Sequence, residues 1–589
     1  MPVLHNIHRI MRESRQRRNI APTFQPRADF VAWPYLDTLF DYTQVVGAGR
    51  TLSAPIPKGA QKRVAIVGAG AAGLCAAFEL LKCGVVPTVY EATGRYGGRA
   101  WSRHFTRGGV PQRAFAEMGS MRVPPAQKTF GIYANMFDMQ PVSGGFPDPG
   151  RVPTRLYYEN RALDWAANGP PPAPFKGIAD AFTDWIDTFA NRIYPPWQNG
   201  DLKTVQQIWQ EWITQYKDVS FYQAVVEGIP SWTSEDLNAF GALGVGSGGF
   251  GPLYEINMLE LLRIILTMWE DNQQLYENGM TSLCDGFYTT TVAIPGIGTG
   301  SLQSQNAVAL NTPVIAIDYN PSTRRPMLFF SQSSPVEFDA VIVATTTRSM
   351  EVMGLTMPGY ATGLADVVSE PVKVALRNLH MTGSSKMFIR TATKFWQAPG
   401  VPQNIQTDEL PRGIYALDYP QTDDGVVLIS YTWEDDAAKL QGLDVPTRFK
   451  LLRSIIAKID PTWGANLVPM NDEIYNVDWQ SEPYYHGAFK LNYPGQEPML
   501  QAAYYQFLAA RSLDGGDKGI YLAGDGVSYS GGWTEGALQT AINCATAVAD
   551  RLGGSLPSDN ALANQSARLY DYGGSPGGTR SARPAAPRR

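Results

Sequence analysis

Three glycines and one acidic residue near the N-terminus have the types and spacing needed to bind a dinucleotide. Residues 63–67 (RVAIV) have the composition of a buried strand, and Gly68, Gly70 and Gly73 follow it at the start of a helical pattern. The first glycine permits a tight turn, the second lets a pyrophosphate approach the backbone, and the third lets helix and strand pack closely. Glu91 follows a second strand-like run, where its carboxylate would accept hydrogen bonds from ribose hydroxyls.

Two further segments distinguish a flavin dinucleotide from a nicotinamide dinucleotide. Residues 94–99 (GRYGGR) add glycines for close backbone approach and two arginines that can neutralise phosphate charge. Much later, Gly524 and Asp525 lie between a strand-like run at 519–523 and a helix predicted from about 534 to 552. An acid at this point can bind a ribityl hydroxyl, and the helix N-terminus can face the electron-rich end of a flavin. Since nicotinamide enzymes need neither segment, the pattern predicts FAD.

In this order and over about residues 60–555, these segments resemble the flavin amine oxidase family. The resemblance implies FAD, a dinucleotide-binding fold split by insertions, and oxidation of a carbon–nitrogen bond. The cofactor contacts predicted from the motifs and the resemblance together are Gly68, Gly70, Ala71, Ala72, Gly73, Glu91, Ala92, Gly98, Arg99, Gly119, Ser120, Met121, Arg122, Val314, Gly524, Asp525, Gly532, Trp533 and Thr534.

The segment at 117–124 (EMGSMRVP) narrows the resemblance to enzymes that act on amino acids. Its Arg122 resembles the arginine with which amino-acid oxidases hold the substrate carboxylate, and a guanidinium suits a carboxylate because it can donate two parallel hydrogen bonds. A surface ion pair is the plainer alternative for this side chain. Six further segments resemble the bacterial tryptophan 2-monooxygenase group of the family: 244–252, 380–388, 412–419, 427–436, 487–492 and 531–537.

The same resemblance implies roles for side chains in and near these segments. Lys386 would hold a water beside the flavin, and we assign catalysis to Lys386 and Arg122, although a surface lysine is the alternative. The implied substrate contacts are Arg122 and Tyr415 at the carboxylate, Phe250 and Trp479 on either face of an aromatic ring, Trp433, a backbone carbonyl of Gly531 or Gly532 at the amino group, and Trp533 against the flavin. Ordinary core packing is the alternative for Phe250, Trp479 and Trp433.

The sequence thus predicts FAD-dependent oxidation of an L-amino acid by O2. The favoured reaction is that of tryptophan 2-monooxygenase, which gives indole-3-acetamide, CO2 and water. The alternative is an aromatic or broad-specificity L-amino acid oxidase that releases the 2-oxo acid, ammonia and H2O2. Leu253 stands about where lysine-specific relatives are expected to place a carboxylate, which disfavours lysine, whereas Glu255 keeps a cationic substrate open. An NAD(P)-dependent dehydrogenase and a non-catalytic FAD-stabilised scaffold are the alternatives from other classes.

Composition bounds these hypotheses. The chain has 589 residues, 44% hydrophobic and 17% charged, with a net charge of −5, which excludes wholesale disorder and disfavours a nucleic-acid partner. The longest apolar stretch, 64–81, contains three glycines and Glu79, so we expect no membrane partner. Four cysteines and five histidines are scattered, and no metal site is expected. Without an export signal, we expect a cytoplasmic protein, and a homo-oligomer with a dimer favoured.

The predicted fold class is α/β, and its cofactor domain must be discontinuous because the segments at 64–99 and 519–552 have to meet in space. Five regions follow from this constraint. They are an N-terminal extension (1–55) with a short basic amphipathic pattern, a Rossmann-like FAD-binding domain (56–125, 276–350 and 510–557), a mainly helical domain (126–245), a mixed-sheet substrate-binding domain (246–275 and 351–509) and a disordered basic tail (558–589).

Overall fold

The computed structural model describes residues 7–20, 35–357, 359, 361, 366–509, 518–566 and 568–573. Its strands are β1 (Val64–Val67), β2 (Thr88–Tyr90), β3 (Ser102–Arg107), β4 (Val110–Glu117), β5 (Thr154–Tyr158), β6 (Arg161–Trp165), β7 (Val292–Ile294), β8 (Gly298–Gly300), β9 (Val308–Ala309), β10 (Val314–Asn320), β11 (Arg325–Phe330), β12 (Val336–Glu337), β13 (Ala340–Val343), β14 (Met381–Thr382), β15 (Ser384–Thr391), β16 (Asn404–Thr407), β17 (Gly413–Leu417), β18 (Gly425–Trp433), β19 (Ile474–Asp478), β20 (Phe489–Lys490) and β21 (Ile520–Leu522). Its α-helices are α1 (Ile7–Arg17), α2 (Ala71–Lys82), α3 (Lys128–Met136), α4 (Phe175–Gln198), α5 (Leu202–Tyr216), α6 (Phe221–Gly228), α7 (Ser234–Leu243), α8 (Met258–Leu266), α9 (Thr281–Thr289), α10 (Thr347–Val352), α11 (Glu370–Asn378), α12 (Glu434–Gln441), α13 (Val445–Ile459), α14 (Pro461–Asn466), α15 (Glu497–Tyr504), α16 (Gln506–Ala509), α17 (Thr534–Arg551) and α18 (Ala561–Asn564).

A five-stranded parallel sheet brings distant parts of the chain together, in the order β21, β13, β1, β2, β9. Every residue of β1 and β13 is buried, as expected of strands covered on both faces. Helix α2 follows β1 directly. Helix α17 follows β21 in the chain and packs along α2. The predicted α/β class with a discontinuous dinucleotide-type sheet is therefore confirmed.

The second large sheet is mixed and has seven strands, in the order β19, β15, β18, β17, β16, β5, β6. Its pairs are antiparallel except for β5 with β16, and the interior strands β15 and β18 are buried along their whole length. A separate apolar cluster with α13 and α14 covers one of its faces. Strands β5 and β6 come from the region predicted as mainly helical, so that region also extends this sheet.

Helices α4 to α7 form the helical part of the chain. In α4 the buried residues include Phe175, Ile178, Phe182, Ile186 and Phe189, which follow the three- and four-residue spacing of one helix face. That apolar stripe faces the rest of the molecule, which leaves the acidic side of α4 available for other contacts.

The N-terminal basic pattern forms α1, which packs on α4. Ile7, Ile10 and Met11 are buried in this contact. Two arginines of α1 form ion pairs with aspartates of α4: Arg15 with Asp187, and Arg17 with Asp180 at 2.8 Å. In the structure, α1 is thus a docked part of the body.

The end of the chain differs from the predicted tail over residues 558–566 and 568–573. These residues include α18 and two buried aromatic side chains, Tyr570 and Tyr572. The Tyr570 hydroxyl donates to the Leu36 carbonyl at 2.6 Å, and Tyr572 bonds to Asp37. Burial of two large aromatic rings favours order despite the polar composition around them. Residues 574–589 lie outside the described part of the chain.

Packing at the β1–α2 turn predicts that Gly73→Ala destabilises the protein. A Cβ at this position would overlap with the Gly68 carbonyl oxygen, a backbone atom that cannot move aside. Overpacking of this kind costs about 2 kcal/mol or more, so we expect a lower melting temperature in thermal denaturation.

The matched control is Gly177→Ala in α4, where a Cβ would meet nothing within 4 Å. Alanine is favoured over glycine inside a helix by about 1 kcal/mol, so this variant should melt at or above the wild-type temperature. Equal melting of the two variants would contradict the packing argument.

Candidate active site

A cavity of about 470 Å³ lies where the parallel sheet, the segment before α3 and the seven-stranded sheet meet. The predicted site residues border it, with four exceptions: Gly73, Phe250, Tyr415 and Trp433. The structure therefore brings together residues that are more than 400 positions apart in the chain.

One end of the cavity is built by the β1–α2 turn. Gly68 has φ +99°, and a Cβ there would lie 2.7 Å from the Ala344 carbonyl oxygen. Gly70 caps α2 without a side chain, so the N–H groups of the first helical turn face open space. Glu91 accepts hydrogen bonds from the backbone N–H of Ala69 and of Thr93, both at 2.9 Å. Oε1 also accepts from the Thr93 hydroxyl at 2.8 Å, so Oε2, which accepts from Ala69, has the lone pair that suits a ribose hydroxyl.

The middle of the cavity joins two of the predicted cofactor segments. Gly98 has φ +60°, and a Cβ on it would lie 3.1 Å from the Cα of Gly70. Arg99 donates to both carboxylate oxygens of Asp525, at 2.6 and 3.3 Å. Since Arg99 follows β2 and Asp525 follows β21, this bidentate pair links the two ends of the discontinuous domain.

The far end of the cavity lies at the N-terminus of α17, an 18-residue helix. Trp533 caps this helix, and Gly532 before it has φ +81°, so the turn requires a glycine. Gln127 and Ser120 also border the cavity, and their buried side-chain polar atoms have no hydrogen-bond partner among the described residues. A helix N-terminus, glycine-lined walls and unused polar groups suit a polar planar cofactor, so the residues present fit a flavin dinucleotide.

The backbone of residues 117–119 holds the side of the cavity where the predicted catalytic residues lie. Lys386 donates from Nζ to the carbonyl oxygens of Glu117 and Gly119, at 3.0 and 2.6 Å. The indole N–H of Trp479 donates to the Met118 carbonyl between them at 3.0 Å. Three consecutive carbonyls therefore fix two predicted site residues at the cavity wall.

Besides these carbonyl oxygens, the buried Lys386 cation contacts an aromatic ring. It lies on β15, where its register partner on β18 is Tyr431, and Nζ lies 4.7 Å from the centre of the Tyr431 ring. Burial lowers the pKa of Lys386 well below its usual value; the Glu117 carboxylate opposes this change and Arg122 adds to it. Burial likewise raises the pKa of Glu117, whose carboxylate accepts from Met280 N–H at 2.8 Å. Lys386 is thus suited to holding or releasing a proton near neutral pH.

Arg122 is a second buried cation at the cavity wall, and it is 6% exposed. Its Nη1 donates to Oε1 of Gln273 at 2.8 Å, and its guanidinium lies 5.0 Å from the centre of the Phe146 ring. Burial lowers the pKa of Arg122, although nearby Tyr431 and Tyr415 act in the opposite direction. Arginine stays charged through such a change, so Arg122 presents a positive charge beside the cavity.

Three predicted substrate residues do not border this cavity. Phe250 is fully buried and stacks on Phe240 with ring centres 4.4 Å apart, so a face assigned to a substrate ring is taken by the protein core. Tyr415 is buried, and its hydroxyl donates to Gln406. Trp433 borders a second cavity of about 520 Å³, which Tyr431 separates from the first. An aromatic ring sandwich between Phe250 and Trp479 is therefore not formed in this structure.

Residues that the sequence analysis missed complete the site. Tyr431 borders both cavities, Gln127 borders the first cavity, and Gln273 contacts Arg122. Strand alternation places Tyr431 on the same face of β18 as Trp433, which was the available signal for it. The two glutamines belong to no motif, so nothing in their local sequence indicated a role.

The described residues also bear on metal binding and membrane insertion. No group of three or more His, Cys, Asp or Glu side chains among them is arranged to hold a metal ion. Within the same residues, each helix is too short or too polar to cross a membrane.

Comparison with known proteins adds to this geometry. The family model described as flavin containing amine oxidoreductase matches residues 71–549. The tryptophan 2-monooxygenase of Pseudomonas savastanoi is 36% identical over 567 residues, which span 90% of this chain and 97% of that protein. The enzyme of the same name from Pantoea agglomerans pv. gypsophilae is 36% identical, over 92% of this chain and 98% of its own. The structure of cyclohexylamine oxidase from Brevibacterium oxydans IH-35A shares the fold, with a TM-score of 0.61, 16% identity, and 83% and 99% coverage.

The buried Asp148 carboxyl near Arg122 gives the free energy of unfolding a testable pH dependence. Burial raises the pKa of Asp148 to about 7, although Arg122 and Arg151 oppose the change. Its folded-state pKa lies above the unfolded value, so the folded protein binds the extra proton and loses this stabilisation as pH rises toward 7. Between about pH 4 and pH 7, wild-type stability should fall relative to Asp148→Asn by up to about 1.4 kcal/mol per pH unit.

Denaturant unfolding at several pH values measures this difference. Asp218→Asn is the control, because the Asp218 side chain is 66% exposed and should show no such slope relative to wild type. A wild-type protein whose stability rises with pH relative to Asp148→Asn would overturn the assignment.

Proposed function

Because this chain belongs to the flavin-containing amine oxidoreductase family, we propose that it is an FAD-dependent enzyme that converts L-tryptophan to indole-3-acetamide. The family model matches well over half of the chain, which confirms the family predicted from sequence. Two near-full-length relatives at 36% identity are tryptophan 2-monooxygenases, and this likeness supports the substrate and the reaction. The observation on which the amino-acid assignment rests is Arg122, a buried cation at the cavity wall beside Lys386 and Trp479.

FAD is the flavin that the cavity shape favours. An FMN-sized ligand would use the end at Trp533 and α17 but would leave the β1–α2 turn and Glu91 without a partner. The helix N-terminus at Gly70 suits a pyrophosphate, and Glu91 suits the ribose of an adenosine. We therefore assign the end at the β1–α2 turn to the adenine nucleotide and the end at Trp533 to the flavin ring.

Arg122 and the aromatic walls would orient the substrate. When bound, the flavin supplies a two-electron acceptor for the Cα–H bond of the amino acid and passes the electrons to O2. Arg122 would donate two hydrogen bonds to the substrate carboxylate, which fixes Cα relative to the ring plane. Trp479 and Trp533, both at the cavity wall, would contact the indole and the flavin.

Lys386 would handle protons in the same space. Its Nζ is held by two carbonyl oxygens, so one N–H remains for a water or a substrate atom. Because burial keeps the pKa of Lys386 low, this side chain can give up a proton without a strong base nearby. A closed site would also retain the imino acid together with the H2O2 that reduction of O2 forms. The peroxide would then oxidise the imino acid to the amide with release of CO2 and water, whereas an imino acid that escapes is hydrolysed to the 2-oxo acid and ammonia.

Product analysis tests the proposed reaction. Purified protein with FAD and L-tryptophan in air should give indole-3-acetamide by mass spectrometry, with little H2O2. Phenylalanine, arginine and lysine, run in parallel, should be poorer substrates.

Each other result has a meaning of its own. Indole-3-pyruvate with stoichiometric H2O2 would replace the monooxygenase with an L-amino acid oxidase. Absence of flavin bleaching by any amino acid under anaerobic conditions would rule out both.

Arg122→Ala tests the carboxylate contact. Loss of one partner of a buried charged pair costs about 3 kcal/mol or more, so kcat/KM for L-tryptophan should fall at least about a hundred-fold. Tryptamine, which has no carboxylate, should react no more slowly with the variant than with wild type. Arg192→Ala, at an exposed arginine of α4, is the control and should match wild type. A hundred-fold loss for tryptamine as well would point to general damage instead of a carboxylate site.

A further inference from the structure

The segment 268–274, between α8 and α9, contacts both ends of the proposed catalytic space. Trp269 packs edge-on against Trp533, with ring centres 5.7 Å apart and planes at 83°. Four residues later, Oε1 of Gln273 accepts the hydrogen bond from Arg122 Nη1 at 2.8 Å. Both contacts are buried, so a shift of this segment would move two walls of the site at once.

Backbone pairing ties the same segment to the chain around Arg122. Gln274 and Val123 exchange two N–H···O hydrogen bonds of 2.9 and 3.0 Å, and Val123 directly follows Arg122. The Phe146 N–H donates to the Gln273 carbonyl at 2.9 Å, and the Phe146 ring lies against the Arg122 guanidinium. Gln273 is therefore in a fixed place relative to the arginine.

On its outer side, the segment is held by helix α1. The His8 imidazole pairs with Glu270, whose side chain is fully buried, and Arg12 pairs with Asp271 at 3.1 Å. Burial of His8 acts to lower its pKa, but the Glu270 carboxylate outweighs this, so the pKa of His8 is raised. The second His8 nitrogen lies 3.3 Å from the Tyr194 hydroxyl of α4.

Helix α1 has its own attachment to the body, independent of the segment. Arg17 pairs with Asp180 at 2.8 Å, and Arg18, which directly follows the helix, pairs with Asp184 at 2.7 Å. Both aspartates lie on α4. Since α4 belongs to the helical region, α1 bridges that region and the segment that contacts Arg122.

We propose that Gln273 is a positioning residue for Arg122, and that α1 holds the segment carrying Gln273 in place through the His8–Glu270 pair. This inference rests on the proposed role of Arg122 in binding the substrate carboxylate. A free arginine side chain samples many rotamers, and a buried amide oxygen on Nη1 selects one orientation of its planar fork. The acceptor is neutral, so it orients the guanidinium and leaves its charge for the substrate. A carboxylate in the same place would compete with that substrate.

Gln273→Leu and Gln273→Glu test the positioning role in the FAD-loaded enzyme by calorimetry. The probes are indole-3-propionate, which has the carboxylate but no amino group, and tryptamine, which has the reverse. We expect the Kd of indole-3-propionate to rise about ten-fold in the leucine variant, as for loss of one hydrogen bond to a charged group. It should rise further in the glutamate variant, because the guanidinium is then neutralised. The Kd of tryptamine should stay within two-fold of wild type, as an order-of-magnitude bound.

For steady-state kinetics the same reasoning predicts a KM effect on L-tryptophan that exceeds the kcat effect in Gln273→Leu. Wild-type affinity of both Gln273 variants for indole-3-propionate would overturn the positioning role. If Arg122→Ala abolishes binding of this probe and both Gln273 variants bind it with wild-type affinity, the inference fails while the proposed function stands. If Arg122→Ala binds the probe normally, the carboxylate role itself has failed.

The role of α1 is tested by two variants that remove different ion pairs at that helix. His8→Ala removes the ion pair with the segment, whereas Arg18→Ala, directly after the helix, removes ion pairs with Asp180 and Asp184 of α4 and none with the segment. We expect faster hydrogen exchange of the backbone amides of residues 268–274 and weaker binding of indole-3-propionate in His8→Ala, and neither change in Arg18→Ala. If His8→Ala does not fold, Glu270→Gln gives the same test from the other side of the pair. Wild-type exchange and affinity in the variant that folds would overturn the role of α1.

Discussion

Three consecutive backbone carbonyls, those of Glu117, Met118 and Gly119, are the feature on which the geometry of the site depends. Lys386 and Trp479 come from different strands of the seven-stranded sheet, and both donate to this short segment. The segment itself follows β4 and leads to Arg122, so one run of backbone sets the positions of a cation, an indole and a guanidinium. A glycine at 119 is required there because a Cβ would overlap with the Arg99 carbonyl oxygen. The extended backbone therefore acts as a common reference for both large parts of the fold.

The two buried cations of the site, Lys386 and Arg122, each contact neutral acceptors and an aromatic face. Lys386 contacts carbonyl oxygens and the face of Tyr431, while Arg122 contacts an amide oxygen and the face of Phe146. The Glu117 carboxylate points instead to the Met280 N–H and the Ser102 hydroxyl. Neutral acceptors and aromatic faces lower the cost of burying a cation without cancelling its charge. In the proposed reaction these two cations would meet the substrate carboxylate and a transferred proton, and the buried Asp148 carboxyl also acts on Arg122.

Much of the cofactor end was predictable from sequence because its requirements are local. Gly68, Gly70 and Glu91 lie within one strand–turn–helix–strand unit, and close packing allows few residues other than glycine at the turn. Asp525 could be placed from the same logic of strand ends, and its pairing with Arg99 agrees with the predicted meeting of the two segments.

The substrate end was less predictable, since its aromatic residues serve two purposes. Phe250 had the right type for a ring contact, but its face packs on Phe240 in the core, and composition cannot separate these uses. The register that sets Lys386 opposite Tyr431 depends on long-range strand pairing, which a local pattern does not encode. Gln273 illustrates the same limit: a neutral amide becomes relevant only when the fold places it 2.8 Å from an arginine.

The basic N-terminal pattern, in contrast, was visible in sequence, but the sequence alone did not indicate what it contacts. Its complement is the row of aspartates at 180, 184 and 187 on α4, three- and four-residue spacings that put like charges on one helix face. The like charges of these aspartates repel one another. Pairing them with the arginines at the N-terminus relieves that repulsion and docks α1 on α4. The basic charge at this end of the chain therefore attaches α1 to the body of the protein.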